Sequence, residues 1–314
     1  MNPKHSIQIV FLACSVFGAQ SWAQGPAAQA EQTRMRVRSV GSSLEAFGLP
    51  ADDKSNRAQA TPGDSDLGSQ FILPVGDPVL PWQVFATAAE YFTSNVTLAR
   101  NNKQGDGYFF GEVGLRHEVK LTDDLTFEAI FREDLFRYHS LTAQNFNSLN
   151  AGAGVFYNLT NLWDITLFGR YNFEWDTNSR SSRDLFTEHT LTVGAQKTFA
   201  LQGGNFAYVG YSSIFGWAQQ FAAQRNEHSL YFGGQAHLTK SLDADVYTRI
   251  ALFDYRQGGR KDFNTTATAA LTYHFNKQFS ANASFTYVVD RSNRSASNYD
   301  AATTGGGINF KYKF

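Results

Sequence analysis

From Trp82 to Phe314 the chain contains no proline, and in much of that run apolar and polar side chains alternate residue by residue. Proline has no amide donor for a ladder, so a long proline-free stretch with period two reads as continuous antiparallel sheet. Every proline lies at or before position 81, and Pro81 therefore marks where the sheet begins. The alternation is plain in 164–176. There Ile165, Leu167, Gly169, Tyr171, Phe173 and Trp175 interleave with Asp164, Thr166, Phe168, Arg170, Asn172, Glu174 and Asp176. It is equally plain at the end, where Ile308, Phe310, Tyr312 and Phe314 oppose Asn309, Lys311 and Lys313. Such strands show one face to something apolar and the other to water.

Short polar turns recur near 123, 161, 203, 240 and 277. Four have like sequences, Leu121-Thr122-Asp123-Asp124-Leu125, Leu159-Thr160-Asn161-Leu162, Leu238-Thr239-Lys240-Ser241-Leu242 and Phe275-Asn276-Lys277-Gln278-Phe279, and the fifth, Leu201-Gln202-Gly203-Gly204-Asn205-Phe206, is a little longer. Longer polar segments lie between them, at 100–106, 140–148, 177–186, 221–228, 256–262 and 291–301. Five turns and six loops require twelve strands, placed at 82–99, 107–121, 125–139, 149–159, 164–176, 187–200, 206–220, 229–238, 242–255, 263–275, 279–290 and 302–314. An even count returns the C-terminus to the side where the chain enters, and most strands reach the ~9–11 residues that cross a bilayer when tilted.

A soluble sandwich also alternates, with its apolar face inward. Here the apolar face often carries an aromatic at one end (Trp163, Phe206, Phe275, Phe279, Phe314) and small residues mid-strand, while the other face holds charges of both signs. That distribution predicts an all-β transmembrane barrel, antiparallel and up-and-down, with lipid outside and water within. Glu90 with Tyr91 breaks the parity of the first strand and Glu133 that of the third, so a bulge or a position above the lipid is expected at each. The strand at 206–220 has two apolar or small faces and no clear parity.

Residues 1–23 have the layout of a secretory signal: Lys4, an apolar core over Ile7–Gly18, and Ser21-Trp22-Ala23 before the cleavage point. Residues 24–81 are expected to form a largely flexible, proline-containing periplasmic segment, available as a plug or as a docking strip for a periplasmic partner. Cys14, the only cysteine, lies within the leader, so disulfide, zinc and iron–sulfur chemistry find no support and no cofactor is expected. A net charge of −1 gives no reason to expect a nucleic-acid partner.

The chain resembles a Gram-negative outer-membrane β-barrel protein over residues 82–314 together with the leader. The segment Gly307-Ile308-Asn309-Phe310-Lys311-Tyr312-Lys313-Phe314 is similar to the C-terminal signal that such proteins present to the barrel-assembly machinery. The resemblance implies an outer-membrane location and an assembly role for Phe310, Tyr312 and Phe314. Twelve-stranded relatives include solute channels, autotransporter translocators and phospholipases, and no motif selects one of them.

The polar parity points a charged set inward: Glu112, Arg116, Glu118 and Lys120; then Glu128, Arg132 and Asp134. Asp164, Arg170, Glu174 and Asp176 follow, with Asp243, Asp245 and Arg249 beyond them and Lys311 and Lys313 at the closing seam. These line a narrow pore or pair to fill it, since eight strands fill their interior and sixteen leave a channel. Loop cations, among them Arg100, Lys103, Arg225, Arg256, Arg260, Lys261, Arg291 and Arg294, suit lipopolysaccharide phosphates as well as plain solvent. Hydrolysis would need a nucleophile beside a histidine. In Tyr138-His139-Ser140, Glu188-His189-Thr190 and Glu227-His228-Ser229 the neighbours point to opposite faces, leaving only cross-strand partners. The expected function is passive diffusion of small hydrophilic solutes. A polysaccharide-export or surface-assembly pore and a closed structural barrel stand as alternatives.

Overall fold

The computed structural model describes residues 80–314 apart from Ser182. The leader and all but the last two residues of the 24–81 segment lie outside the described residues.

Twelve strands follow one another: β1 (Trp82–Thr93), β2 (Asp106–Lys120), β3 (Leu125–Tyr138), β4 (Phe146–Leu159), β5 (Ile165–Asn178), β6 (Asp184–Ala200), β7 (Phe206–Ala218), β8 (Arg225–His237), β9 (Leu242–Tyr255), β10 (Lys261–His274), β11 (Phe279–Ser292) and β12 (Tyr299–Lys313). Each pairs antiparallel with its sequence neighbours, and β12 returns to β1, so the sheet closes on itself. Closure leaves no unpaired edge, which a sheet in hydrocarbon requires. The seam runs without interruption from Gln83 opposite Lys313 to Thr93 opposite Thr303. Phe314 extends it, its amide donating to the Trp82 carbonyl at 2.9 Å and its carbonyl accepting from the Trp82 amide at 3.2 Å.

Three of the periplasmic turns are one structure repeated, which explains their related sequences. The amides of Leu121, Leu238 and Phe275 donate to the carbonyls of Leu125, Leu242 and Phe279. Inside each turn a Thr or Asn side chain accepts an amide two residues on: Thr122 from Asp124, Thr239 from Ser241, Asn276 from Gln278. The Leu159–Leu162 turn differs, with Trp163 and Asp164 both at positive φ.

Burial alternates with sequence parity on every strand, so the two walls can be assigned. The outer wall carries the exposed apolar side chains, with Trp82, Trp163, Phe275 and Phe314 toward one rim and Phe92, Phe109, Trp175 and Trp217 toward the other. Phe206 is a correction to the expected girdle: it is buried on the inner wall with Tyr208, Tyr231 and Tyr247. That also settles the parity of β7, whose inward set runs Phe206, Tyr208, Gly210, Ser212 and Ile214. No bulge occurs at Glu90, since β1 keeps its register with both neighbours. Tyr91 is inward, and Glu90 faces outward, where its carboxylate accepts from His139 Nε2 at 2.7 Å. Glu133 is likewise on the outer wall, between the inward Arg132 and Asp134 and four residues before the outward Arg137.

The connection between β1 and β2 folds back over the extracellular rim. Asn95 donates to the carbonyls of Ala99 at 2.8 Å and Asp300 at 2.9 Å, while its own carbonyl accepts the Ala99 amide. Val96 is thereby set against Tyr91, Tyr108, Phe136, Tyr138 and Phe146, a ring-rich cluster inside the extracellular mouth.

Candidate functional site

The candidate site is the inner wall, where charged side chains from strands far apart in sequence meet. On one side, Arg116 Nε lies 3.5 Å and Arg170 Nη1 3.4 Å from the two oxygens of Glu128. Arg132 reaches Asp134 at 3.3 Å and Glu112 at 3.7 Å. Thr87 then links Glu112 to Asn309 across the seam, at 3.2 and 3.1 Å. Arg170 is on β5 and Glu128 on β3, so the contact must pass over β4. It can because β4 presents Gly152 and Gly154 there: a Cβ at Gly152 would sit 3.2 Å from Arg170 Nε, and one at Gly154 3.3 Å from Arg170 Cγ.

On the opposite side, Glu227 accepts from Arg225 Nε at 3.0 Å and from Arg249 Nη1 at 3.1 Å. Arg225 also donates to the Tyr255 hydroxyl at 2.9 Å and stacks 3.8 Å over the Phe253 ring. Arg249 donates to Asn264 at 3.0 Å, and Asn264 in turn to Asp290 at 3.0 Å, so the network spans β8 to β11. At the periplasmic mouth Asp243 sits between two histidines, 2.6 Å from His237 Nδ1 and 3.2 Å from His274 Nε2. Gln235 donates to neighbouring Asp245 at 3.0 Å.

Glu112, Arg116, Glu128, Arg132, Arg170, Glu174 and Arg249 thus face inward together within the barrel. Glu118, Asp243, Asp245, Lys311 and Lys313 face inward nearer the periplasmic rim. Asp164 does not belong to this wall. It precedes β5 in a turn at φ 50, and its exposed carboxylate lies 3.9 Å from the outward Lys197.

Arg225 and Glu227 were assigned to a loop in the sequence reading, and they are buried wall residues. The missed signal is the inward parity of Ser229 and Tyr231, which continues upward through both. Arg260, read as a loop cation, pairs with the buried Asp262. Of the rim histidines, His228 finds a cross-strand serine, Ser213 Oγ at 3.0 Å, with the Tyr211 hydroxyl 2.9 Å from each. This group is on the outer wall, where His228 presents Nδ1 to both hydroxyls.

A closed antiparallel barrel of twelve strands, apolar outside between aromatic rims and charged within, has the architecture of a transmembrane barrel of the outer membrane. The chain has the fold of an outer-membrane β-barrel protein. An outer membrane channel from Pseudomonas putida F1 has the same fold, with a TM-score of 0.52 at 12% identity over 77% of this chain and 100% of that one. Lower scores are found for the KdgM porin in complex with disordered oligogalacturonate (0.42, 7% identity, 73% and 99% covered). The translocator domain of autotransporter NalP from Neisseria meningitidis gives 0.44 at 9% identity, with 74% and 88% covered. No protein-family model matches the chain, and no curated protein matches its sequence.

Proposed function

We propose that the barrel is a channel through which small hydrophilic solutes diffuse passively along a narrow, charged lumen. The observation that carries this reading is the inner wall itself. Charged and hydrogen-bonding side chains from β2, β3, β5, β8, β9, β10 and β11 face the axis. A lumen kept polar at that cost suits a wet passage better than a filled core. A closed structural barrel is the second reading, favoured by the depth at which Arg116 and Arg249 are buried, each only 2% exposed. In the first reading the leader directs export, Phe310, Tyr312 and Phe314 engage the assembly machinery, and rim cations such as Arg256 meet lipopolysaccharide phosphates.

The test is single-channel recording in planar bilayers with the full exported chain and with a chain lacking residues 24–81. Stepwise conductance from the full chain supports an open channel. Conductance only after the deletion makes that segment a plug. Silence from both chains rejects the channel in favour of the structural barrel.

A further inference from the structure

The inner wall is not balanced in charge along the barrel axis, and we infer that the lumen selects cations, passing small cationic solutes and retarding anions. This rests on the channel reading above. Toward the extracellular mouth, Asp134, Glu174, Asp176, Glu188, Glu227 and Asp290 all point inward and all are buried. Asp262 joins them, beside Arg260. The other guanidinium groups at or just below that level are Arg132, Arg225 and Arg249, and two of these share the carboxylate of Glu227. Carboxylates therefore outnumber cations in the section a solute meets on entering from outside. In the periplasmic half the order reverses, with Arg116, Arg170, Lys120, Lys311 and Lys313 facing Glu118, Glu128, Asp243 and Asp245.

Fixed charge of one sign in a narrow passage with low-dielectric walls concentrates counter-ions and repels co-ions, and rings of Asp and Glu act this way in cation channels. A second observation points to the same ligand. Ser212 on β7 and Ser229 on β8 stand directly opposite each other, both facing inward and fully buried. Neither hydroxyl oxygen has a hydrogen-bond partner among the described residues. Ser229 is the next inward residue below Glu227, so the pair offers neutral oxygens beside the carboxylate section. Such oxygens replace part of the hydration shell of an alkali or ammonium ion.

The experiment is the reversal potential of the full chain in a planar bilayer under a KCl gradient, joined to spermine binding by the detergent-solubilised protein. The wild type is expected to show a potential of the sign that K⁺ permeation produces. Glu174→Gln with Glu188→Gln should move it toward zero, and Lys311→Gln with Lys313→Gln should move it further in the cation direction. Spermine affinity should fall between ~0.1 M and ~1 M salt, as the Debye length shortens from about 10 Å to about 3 Å. It should fall again in the double glutamine variant of the acids. Each variant is first checked for heat-modifiable migration, so that misassembly is scored separately. A zero or anion-directed potential in the wild type overturns the inference and leaves the channel reading standing. Spermine binding without any conductance overturns the channel reading and the passage of cations with it, and leaves only the acidic wall standing. Absence of both binding and cation preference overturns the inference.

Discussion

The closing seam can be tested at a single methyl group. Gly305 on β12 lies opposite Tyr91 of β1, and a Cβ built there would sit 2.2 Å from the Glu90 carbonyl oxygen, 2.6 Å from Tyr91 Cδ1 and 2.7 Å from Tyr91 Cα. Two of those atoms are backbone, held by the β1–β2 ladder on their far side, and no rotamer change removes them. Ordinary contact begins at 3.4 Å, so Gly305→Ala must part β12 from β1 by about 1 Å or bend a strand. Overpacking of that size costs about 1–3 kcal/mol. Against it stands a gain of under ~1 kcal/mol from replacing a strand glycine. The control is Gly169→Ala on the lipid face of β5, where a Cβ meets nothing within 4 Å and the change should be neutral or slightly stabilising. The assay is urea unfolding in lipid vesicles, followed by tryptophan fluorescence and by the heat-modifiable band. Destabilisation of Gly305→Ala by about 1–3 kcal/mol relative to Gly169→Ala is expected, because the gain from replacing a strand glycine is common to both. Equal midpoints for the two variants would refute the argument that the seam is packed backbone against backbone.

Glu128→Gln should destabilise the barrel by about 3 kcal/mol, because it leaves Arg116 and Arg170 facing a neutral amide deep in the wall; replacing Glu128, Arg116 and Arg170 together by apolar residues should cost less, as read from the same unfolding curves. Asp106→Ala removes the carboxylate that accepts the Ser140 and Leu141 amides at 2.9 and 2.7 Å. Limited proteolysis should then cut the 139–145 connection faster in intact vesicles, and an unchanged rate would mean the loop is held by other contacts. Deleting Phe314 removes both backbone bonds to Trp82, and the yield of heat-modifiable protein in the outer membrane should fall several-fold; normal insertion would count against a role in assembly.

Much of the architecture was legible because strand parity and turn chemistry are local. Residues 279–290 announce their two faces without help from any other strand. The turns Leu121–Leu125, Leu238–Leu242 and Phe275–Phe279 share a sequence because they share a hydrogen-bond pattern. The misreadings fall where local parity is weak. Phe206 looked like a girdle residue because both faces of β7 are apolar, and only its packing against Tyr208 and Tyr231 puts it inside. Glu90 looked like a bulge because a carboxylate on the outer wall is costly. The structure keeps the register and meets the charge with His139 instead.

What Trp82–Phe314 decides by itself is therefore the strand count, the direction in which the chain ends, and the parity of charge. Each follows from a period of two and from the exclusion of proline, and none of the three depends on which strands become neighbours. The partners inside the barrel were decided by closure alone. Arg170 finds Glu128 because β4 places Gly152 and Gly154 beneath it. Glu227 is shared by Arg225 and Arg249 although the register sets Phe253 opposite it, because Arg249, opposite Tyr231 on the same inner wall, reaches up to its second oxygen. Asp243 lies between two histidines because β9 runs between β8 and β10. Those contacts depend on register and on curvature of the wall, which are properties of the whole ring of strands.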